Sequence, residues 1–301
     1  MPQDNALKSS VAWRQVCDAI GEATGAPFHP RTVADIGGGC INRAVRLSDG
    51  WRSYFVKLNE PASVDMFEAE REGLATLAAA GAVRVPAPLA AGSTTGFAFL
   101  VLELIPLRRL SRDGWAALGE QLAALHRSTA PQFGWHRSNT IGATPQTNPW
   151  TASWIEFWRR HRLGYQLEIA AGRGLDAATL SRGKELLDRL GGLLADYHPR
   201  PSLLHGDLWS GNVAADEQGG PVLFDPAVYY GDREADLAMS ELFGRFDEAF
   251  YQAYREAWPP DPGYESRKTL YNLYHVLNHF NLFGGGYAGR ARAMIEDLLA
   301  R

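Results

Sequence analysis

Apolar positions change their period once along the chain, just beyond Pro106. Before that point, β-branched and aromatic runs alternate with turn-forming clusters. A helix is predicted from about Val11 to Ala23. "TVADIGGGCINRAVRLSDGWRSYFVKL" then reads as a strand, a glycine turn, a second strand, a Ser-Asp-Gly hairpin turn and a third strand ending at Lys57. "VDMFEAEREGLATLAAAG" has helical spacing with Gly81 as its stop signal, and "VPAPLAAGSTTGFAFLVLELI" gives two more strands around a turn. Past Pro106 the period becomes helical: "DGWAALGEQLAALHRST" puts Trp115, Leu118, Leu122 and Leu125 on one face, and "WTASWIEFWRRHRLGYQLEIA" and "LSRGKELLDRLGGLLADY" behave alike. An α+β, bilobal architecture follows, with a small β-rich N-lobe over 1–105 and a larger helical C-lobe over 106–301. The boundary is expected near Glu103–Leu107, and no internal repeat or low-complexity segment interrupts either lobe.

Composition narrows the class. The 301 residues supply ample material for packed cores, and 46% hydrophobic with 21% charged residues is ordinary for a globular protein. A net charge of −4 argues against general affinity for polyanions, so no nucleic-acid partner is expected. The basic run "WRRHR", Trp158 to Arg162, reads as a solvated helix face. With two cysteines, Cys17 and Cys40, and a start lacking the basic and apolar regions of a signal peptide, a reducing cytoplasm is the expected location. The most apolar stretches, such as "LATLAAAGAV", are too short to cross a bilayer.

Chemistry concentrates in "LLHGDLWSGNV", Leu203 to Val213, where turn formation alone would account for most of the residue types. Asn212 lies five residues after Asp207, and Asp225 closes the run "VAADEQGGPVLFD". Val213–Ala215 and Val222–Phe224 are predicted as strands of a hairpin that returns Asp225 beside Asn212. A carboxylate and an amide carbonyl suit Mg²⁺, which keeps waters and takes further oxygens from substrate phosphates. Asp207 is then left to accept a hydroxyl proton, the division of labour in kinase-type phosphoryl transfer.

D-x-x-x-x-N recurs by chance, so the parts upstream carry weight through their order. Gly37, Gly38 and Gly39 stand between two strands, where bare backbone could approach phosphates, although a plain hairpin turn explains them equally well. Eighteen residues beyond Gly39, Lys57 sits inside "YFVKL", where a buried ammonium needs an anion. Glu70 shares a helix face with Phe67, Leu74 and Leu77, which makes it the economical partner of Lys57; a surface ion pair is the alternative.

In "GGGCIN", "MFEAE", "FGWHRSNTIGATPQTN", "HGDLWSGN", "FDPAVYYGDREADLAM" and "LNHFNLFGGGY" the sequence resembles the fructosamine/ketosamine 3-kinases, bacterial type, over roughly residues 30 to 300. That family shares a protein-kinase-like fold with aminoglycoside and choline phosphotransferases. The resemblance implies ATP- and Mg²⁺-dependent phosphorylation of the sugar 3-hydroxyl of small-molecule or protein-bound ketosamines, a deglycation or protein-repair role. It makes Asp207 the catalytic base, Asn212 and Asp225 the Mg²⁺ ligands, Lys57 the clamp on the α- and β-phosphates and Glu70 its orienter. Gly37, Gly38, Gly39 and Cys40 become the phosphate loop, Glu103, Leu104 and Ile105 the hinge bonding the adenine edge, and Trp209 the wall against which the sugar packs. No membrane partner is implied, and a monomer or weak homodimer is expected. The sequence departs from protein kinases in having no Arg in HGD and no Phe-Gly after Asp225, and Ser138 stands where the family commonly has Asp.

Other conspicuous residues have plainer readings. His275 and His279 are four apart on a predicted helix, but no third ligand accompanies them, so packing and hydrogen bonding are expected. His205 is expected to brace the catalytic loop, and Gly284 to Gly286 to form a turn. Asp232, Glu234 and Asp236 would be a solvated acidic turn, order the region after Asp225, or meet a substrate amine. The competing functions are phosphorylation of an aminoglycoside, choline or another sugar by the same machinery, and a catalytically silent nucleotide-binding module.

Overall fold

The computed structural model describes residues 11–37 and 41–301. They fall into two compact units, one running to Arg109 and including Ala214–Phe224, the other comprising Leu110–Val213 and Asp225–Arg301.

The first unit is built on a five-stranded antiparallel sheet in the order β1-β2-β3-β5-β4: β1 (Thr32–Ile36), β2 (Arg43–Ser48), β3 (Ser53–Asn59), β4 (Pro88–Ser93) and β5 (Ala98–Glu103). Helix α1 (Val11–Thr24) buries Trp13, Val16 and Ile20 in a core that includes Val45, Leu47, Tyr54, Val56 and Leu58. Because side chains alternate along a strand, that register turns Phe55 and Lys57 to the opposite face. Helix α2 (Val64–Ala80) connects β3 to β4, burying Phe67, Leu74 and Leu77. It ends where predicted, at Gly81, whose φ of +66° is the left-handed conformation that closes a helix. Strand β3 continues two residues past Lys57, so the lysine is interior to the ladder, opposite Ala44 and Leu100.

The second unit is mainly helical: α3 (Arg112–His126), α4 (Trp154–Trp158), α5 (Gly164–Gly172), α6 (Ala177–Leu193), α7 (Glu234–Leu242), α8 (Glu248–Ala257), α9 (Tyr264–Phe283) and α10 (Tyr287–Leu299). Short strands β6 (Asn139–Ile141) and β7 (Thr144–Gln146) form one hairpin, and β8 (Ser202–Leu204) pairs with β11 (Tyr229–Gly231). Leu118, Leu122 and Leu125 are buried as the α3 pattern predicts, whereas Trp115 is half-buried. Among the described residues no helix is long and apolar enough to cross a membrane.

Two expectations need correction. The run "WRRHR" is not a uniform solvated face. Arg159–Leu163 forms a π-helical turn, and while Arg159 and Arg160 pair with Glu156, Trp158 and Arg162 are fully buried. Arg162 lies over the rings of Phe157 and Tyr229 and donates to the Thr147 and His161 carbonyls and to Asn148 Oδ1, so ring faces and acceptors accommodate its charge. The hairpin before Asp225 pairs β9 (Val213–Ala215), where predicted, with β10 (Pro221–Leu223), which lies one residue earlier than predicted. The φ of +55° at Asp225, next to Pro226, is incompatible with continuing the strand.

Candidate active site

In the first unit, Lys57 Nζ donates to Glu70 Oε1 at 2.6 Å, with the two side chains 7% and 12% exposed. Sheet alternation and the α2 stripe bring these residues together, and two charges out of water require such pairing. Among the described residues, a Cβ on Gly37 would meet nothing within 4 Å; Gly38, Gly39 and Cys40 lie outside those residues. Glu103 is the last residue of β5, and its carboxylate accepts from Arg84 at 2.9 Å and from the Ala87 N–H at 3.2 Å. Arg84 also reaches Asp216, at 2.5 Å. The β3–β5 ladder ends at the Tyr54–Glu103 pair, so the backbone of Leu104 and Ile105 runs outside it.

In the second unit, the chain leaves β8 into the loop that carries Asp207 through Gly206, whose φ is +84° and where a Cβ would overlap the Ala227 carbonyl. His205 braces this turn: its carbonyl accepts from the Ala227 N–H at 2.8 Å, and its Nδ1 lies 3.3 Å from the Asp207 N–H. Asn212 Nδ2 contacts the Asp207 carbonyl at 2.9 Å, Asp207 Oδ2 at 3.1 Å and the Asp225 carbonyl at 3.4 Å. The loop and the start of the next segment therefore converge through one amide.

Burial pushes the Asp207 carboxyl up to about 7, the nearby Asp225 and Asp236 charges add to the rise, and the Asn212 hydrogen bond opposes it. A base in that range is suited to accepting a proton near neutrality. Trp209 is half-buried and lies flat across Gly211, where a Cβ would fall inside the indole. It is therefore not a core tryptophan.

With its amide nitrogen committed to Asp207 and Asp225, Asn212 has its Oδ1 left for a ligand. Among the described residues no group of three or more His, Cys, Asp or Glu side chains makes a ready metal cage. An amide oxygen with the Asp225 carboxylate fits a hard cation that draws its remaining ligands from water and phosphate, as Mg²⁺ does.

Sequence reasoning left the role of Asp236 open among several, and the structure decides it. On α7, Asp236 accepts from the backbone N–H groups of His205 at 2.7 Å and Gly206 at 2.9 Å. His126 Nε2 lies 3.2 Å from the same carboxylate, and its Nδ1 is 2.8 Å from the Tyr254 hydroxyl, which Arg233 reaches at 3.2 Å. Burial drives His126 towards its neutral form. Burial alone would raise Asp236, but hydrogen bonds from His126 and Gly206 help to hold it below the usual carboxylate value. A neutral His126 accepting from Tyr254 and donating to Asp236 satisfies the chain. Asp232 and Glu234 are also buried: Asp232 takes the hydroxyls of Tyr197 and Tyr271, and Glu234 takes Arg267 at 2.6 Å. None of the three is a solvated turn.

His275 and His279 pack within the fold: burial pushes His275 down to about 3, and the His279 ring lies tilted against Phe243, with centroids 4.4 Å apart. The helix α9 ends at Phe283, and Gly284 and Gly285 take positive φ in the turn that follows.

The family model for fructosamine kinases matches residues 12–301. A protein of Synechocystis sp. named a probable ketoamine kinase is 49% identical over 294 residues, covering 97% of this chain and 99% of its own length. A chloroplastic protein-ribulosamine 3-kinase of Oryza sativa subsp. japonica is 45% identical over 270 residues, covering 89% and 78% respectively. The crystal structure of a fructosamine-3-kinase candidate from Haemophilus somnus superposes with a TM-score of 0.90 at 30% identity, covering 97% of this chain and 99% of that one. An aminoglycoside phosphotransferase crystallised with ADP and hygromycin B superposes with a TM-score of 0.62 at 18% identity over 95% of this chain and 98% of that one, a likeness of fold alone.

Proposed function

The chain belongs to the fructosamine kinase family, and from that premise we propose that it transfers the γ-phosphoryl group of ATP to the 3-hydroxyl of a ketosamine. The observation that carries this reading is the Asp207–Asn212–Asp225 constellation, in which one amide joins the proposed base to the segment of the proposed metal ligand. Asp207 accepts the hydroxyl proton as the sugar oxygen attacks the γ-phosphorus, the bond to the β–γ bridging oxygen breaks, and ADP leaves. Lys57, oriented by Glu70, holds the α- and β-phosphates. The backbone of Leu104 and Ile105 meets the adenine edge, with the Glu103 side chain already engaged by Arg84. Asn212 Oδ1 and the Asp225 carboxylate would hold Mg²⁺, which when bound neutralises phosphate charge. Trp209 presents an apolar face to the C–H groups of the acceptor sugar.

Ketosamines, free or protein-bound, are the favoured acceptor class because the named relatives of high coverage are ketoamine and protein-ribulosamine kinases. ADP release should be measured with a ribulosamine, a fructosamine, choline and kanamycin. Turnover confined to the ketosamines is expected, whereas turnover confined to kanamycin or choline would reassign the acceptor.

A further inference from the structure

Asp225 is the only described residue other than glycine with a positive φ, and the following proline restricts its backbone further. Such a conformation is costly and persists where surrounding contacts over-determine it. Asn212 supplies a contact to the Asp225 carbonyl itself. The downstream side is held by a motif that the catalytic reading leaves unused, "NTIGATPQTN".

Asn139 and Gln146 face each other across the β6–β7 hairpin. Asn139 Nδ2 donates to the Val228 carbonyl at 2.8 Å, and Gln146 Nε2 donates to the Ala227 carbonyl at 3.2 Å. Asn139 Oδ1 accepts from both Gln146 Nε2 and Asn148 Nδ2, at 2.9 and 3.0 Å, which turns its own amino group towards Val228. Gln146 Oε1 accepts from the Tyr274 hydroxyl at 2.6 Å, which turns the Gln146 amino group towards Ala227. Asn148 Oδ1 in turn accepts from Arg162 at 2.6 Å. Gln146, Asn148, Arg162 and Tyr274 are at most 2% exposed, so water does not compete for these bonds. Two amides fixed in orientation from behind thus clasp consecutive carbonyls just beyond Asp225.

We propose that Gln146 and Asn139 are positioning residues for the metal-binding carboxylate: by gripping Ala227 and Val228 they hold Asp225 in its left-handed conformation and so set the affinity for the divalent cation. This rests on the reading of Asp225 as a metal ligand. The ladder explains why a hairpin remote in sequence from the catalytic loop carries so many amides.

The test is Mn²⁺ binding to the full chain in the presence of ADP, followed by the electron paramagnetic resonance signal of free Mn²⁺. Melting temperature and ADP affinity in EDTA are measured beside it. Gln146→Met removes both N–H donors at similar volume and should weaken Mn²⁺ binding about 10- to 100-fold, the usual cost of losing a partner behind a metal ligand. Metal-free ADP affinity should not change. Tyr274→Phe removes only the donor to Gln146 Oε1, should weaken Mn²⁺ binding less and in the same direction, and is the variant to read if Gln146→Met does not fold.

Unchanged Mn²⁺ affinity in the folded variant overturns the proposal. So does a parallel loss of Mn²⁺ binding, metal-free ADP binding and melting temperature, which marks a merely structural ladder. Asp225→Asn separates the two layers. If it leaves Mn²⁺ affinity intact, the reading of Asp225 fails and the proposal with it; if it abolishes binding while Gln146→Met does not weaken it, the proposal alone fails.

Discussion

Burial holds the Asp207 carboxyl at about 7, well above the 3.8 of an unperturbed aspartate. A carboxyl raised in the folded state contributes stability that is complete below the unfolded value and is lost as pH rises through the folded one. With nucleotide and metal removed by a chelator, Asp207→Asn should therefore melt above the wild type at pH 8, and the gap should close as pH falls towards 4. Melting curves across that range check the sign. The same variant should lose about 10²- to 10⁴-fold in kcat while keeping its nucleotide affinity, as expected for removing a positioned base. Gly211→Ala pushes a methyl group into the Trp209 indole. It should raise KM for a ribulosamine and leave KM for ATP near its original value; equal rises in both would place Trp209 outside the acceptor site. At this scale the sequence was legible where chemistry imposes spacing: the interval from Asp207 to Asn212 and the α2 stripe carrying Glu70 both bring partners into contact. Asp236 could not be singled out, because its partners are backbone N–H groups some thirty residues away that leave no trace in residue type.

Between elements, close approach of backbones decides more than side-chain identity. On α3, a Cβ at Gly119 would run into the Phe250 carbonyl of α8. Gly119→Ala should lower the melting temperature, by an overpacking cost of about 1–3 kcal/mol, while the KM of either substrate stays put. Helix α7 carries the opposite kind of constraint, since Asp236→Asn replaces an acceptor facing two buried N–H groups. Each buried group left unpaired costs about 1–3 kcal/mol, so melting temperature and kcat should fall together. Kinetics and thermal melts on the two variants distinguish a packing contact from a brace on the loop. Helix and strand order was readable from apolar period and from cap residues such as Gly81. The burial of Arg162 was not, because a π-helical turn rotates it away from the face that a regular helix would give it. The second strand of the hairpin before Asp225 ends one residue before the sequence predicts, because strand propensity continues through Phe224 while the backbone turns at the aspartate.

For the whole molecule, the residues proposed for the chemistry are divided between two compact units: Lys57 and Glu70 in the first, Asp207, Asn212 and Asp225 in the second. A change of period beyond Pro106 signals two units, but it cannot show that Ala214–Phe224 clusters with residues up to Arg109, because a short hairpin looks the same in sequence wherever it packs. The family assignment accounts for both sets of residues through one reaction, transfer of the γ-phosphoryl group to a ketosamine 3-hydroxyl. Its most direct test is phosphorus and proton NMR of the product formed from ATP and a ribulosamine by the wild type and by Asp207→Asn. The predicted result is one ADP for each ribulosamine 3-phosphate, with the phosphorus coupled to the proton on C3, and little product from the variant. Phosphate on another hydroxyl, or undiminished product from Asp207→Asn, would contradict it.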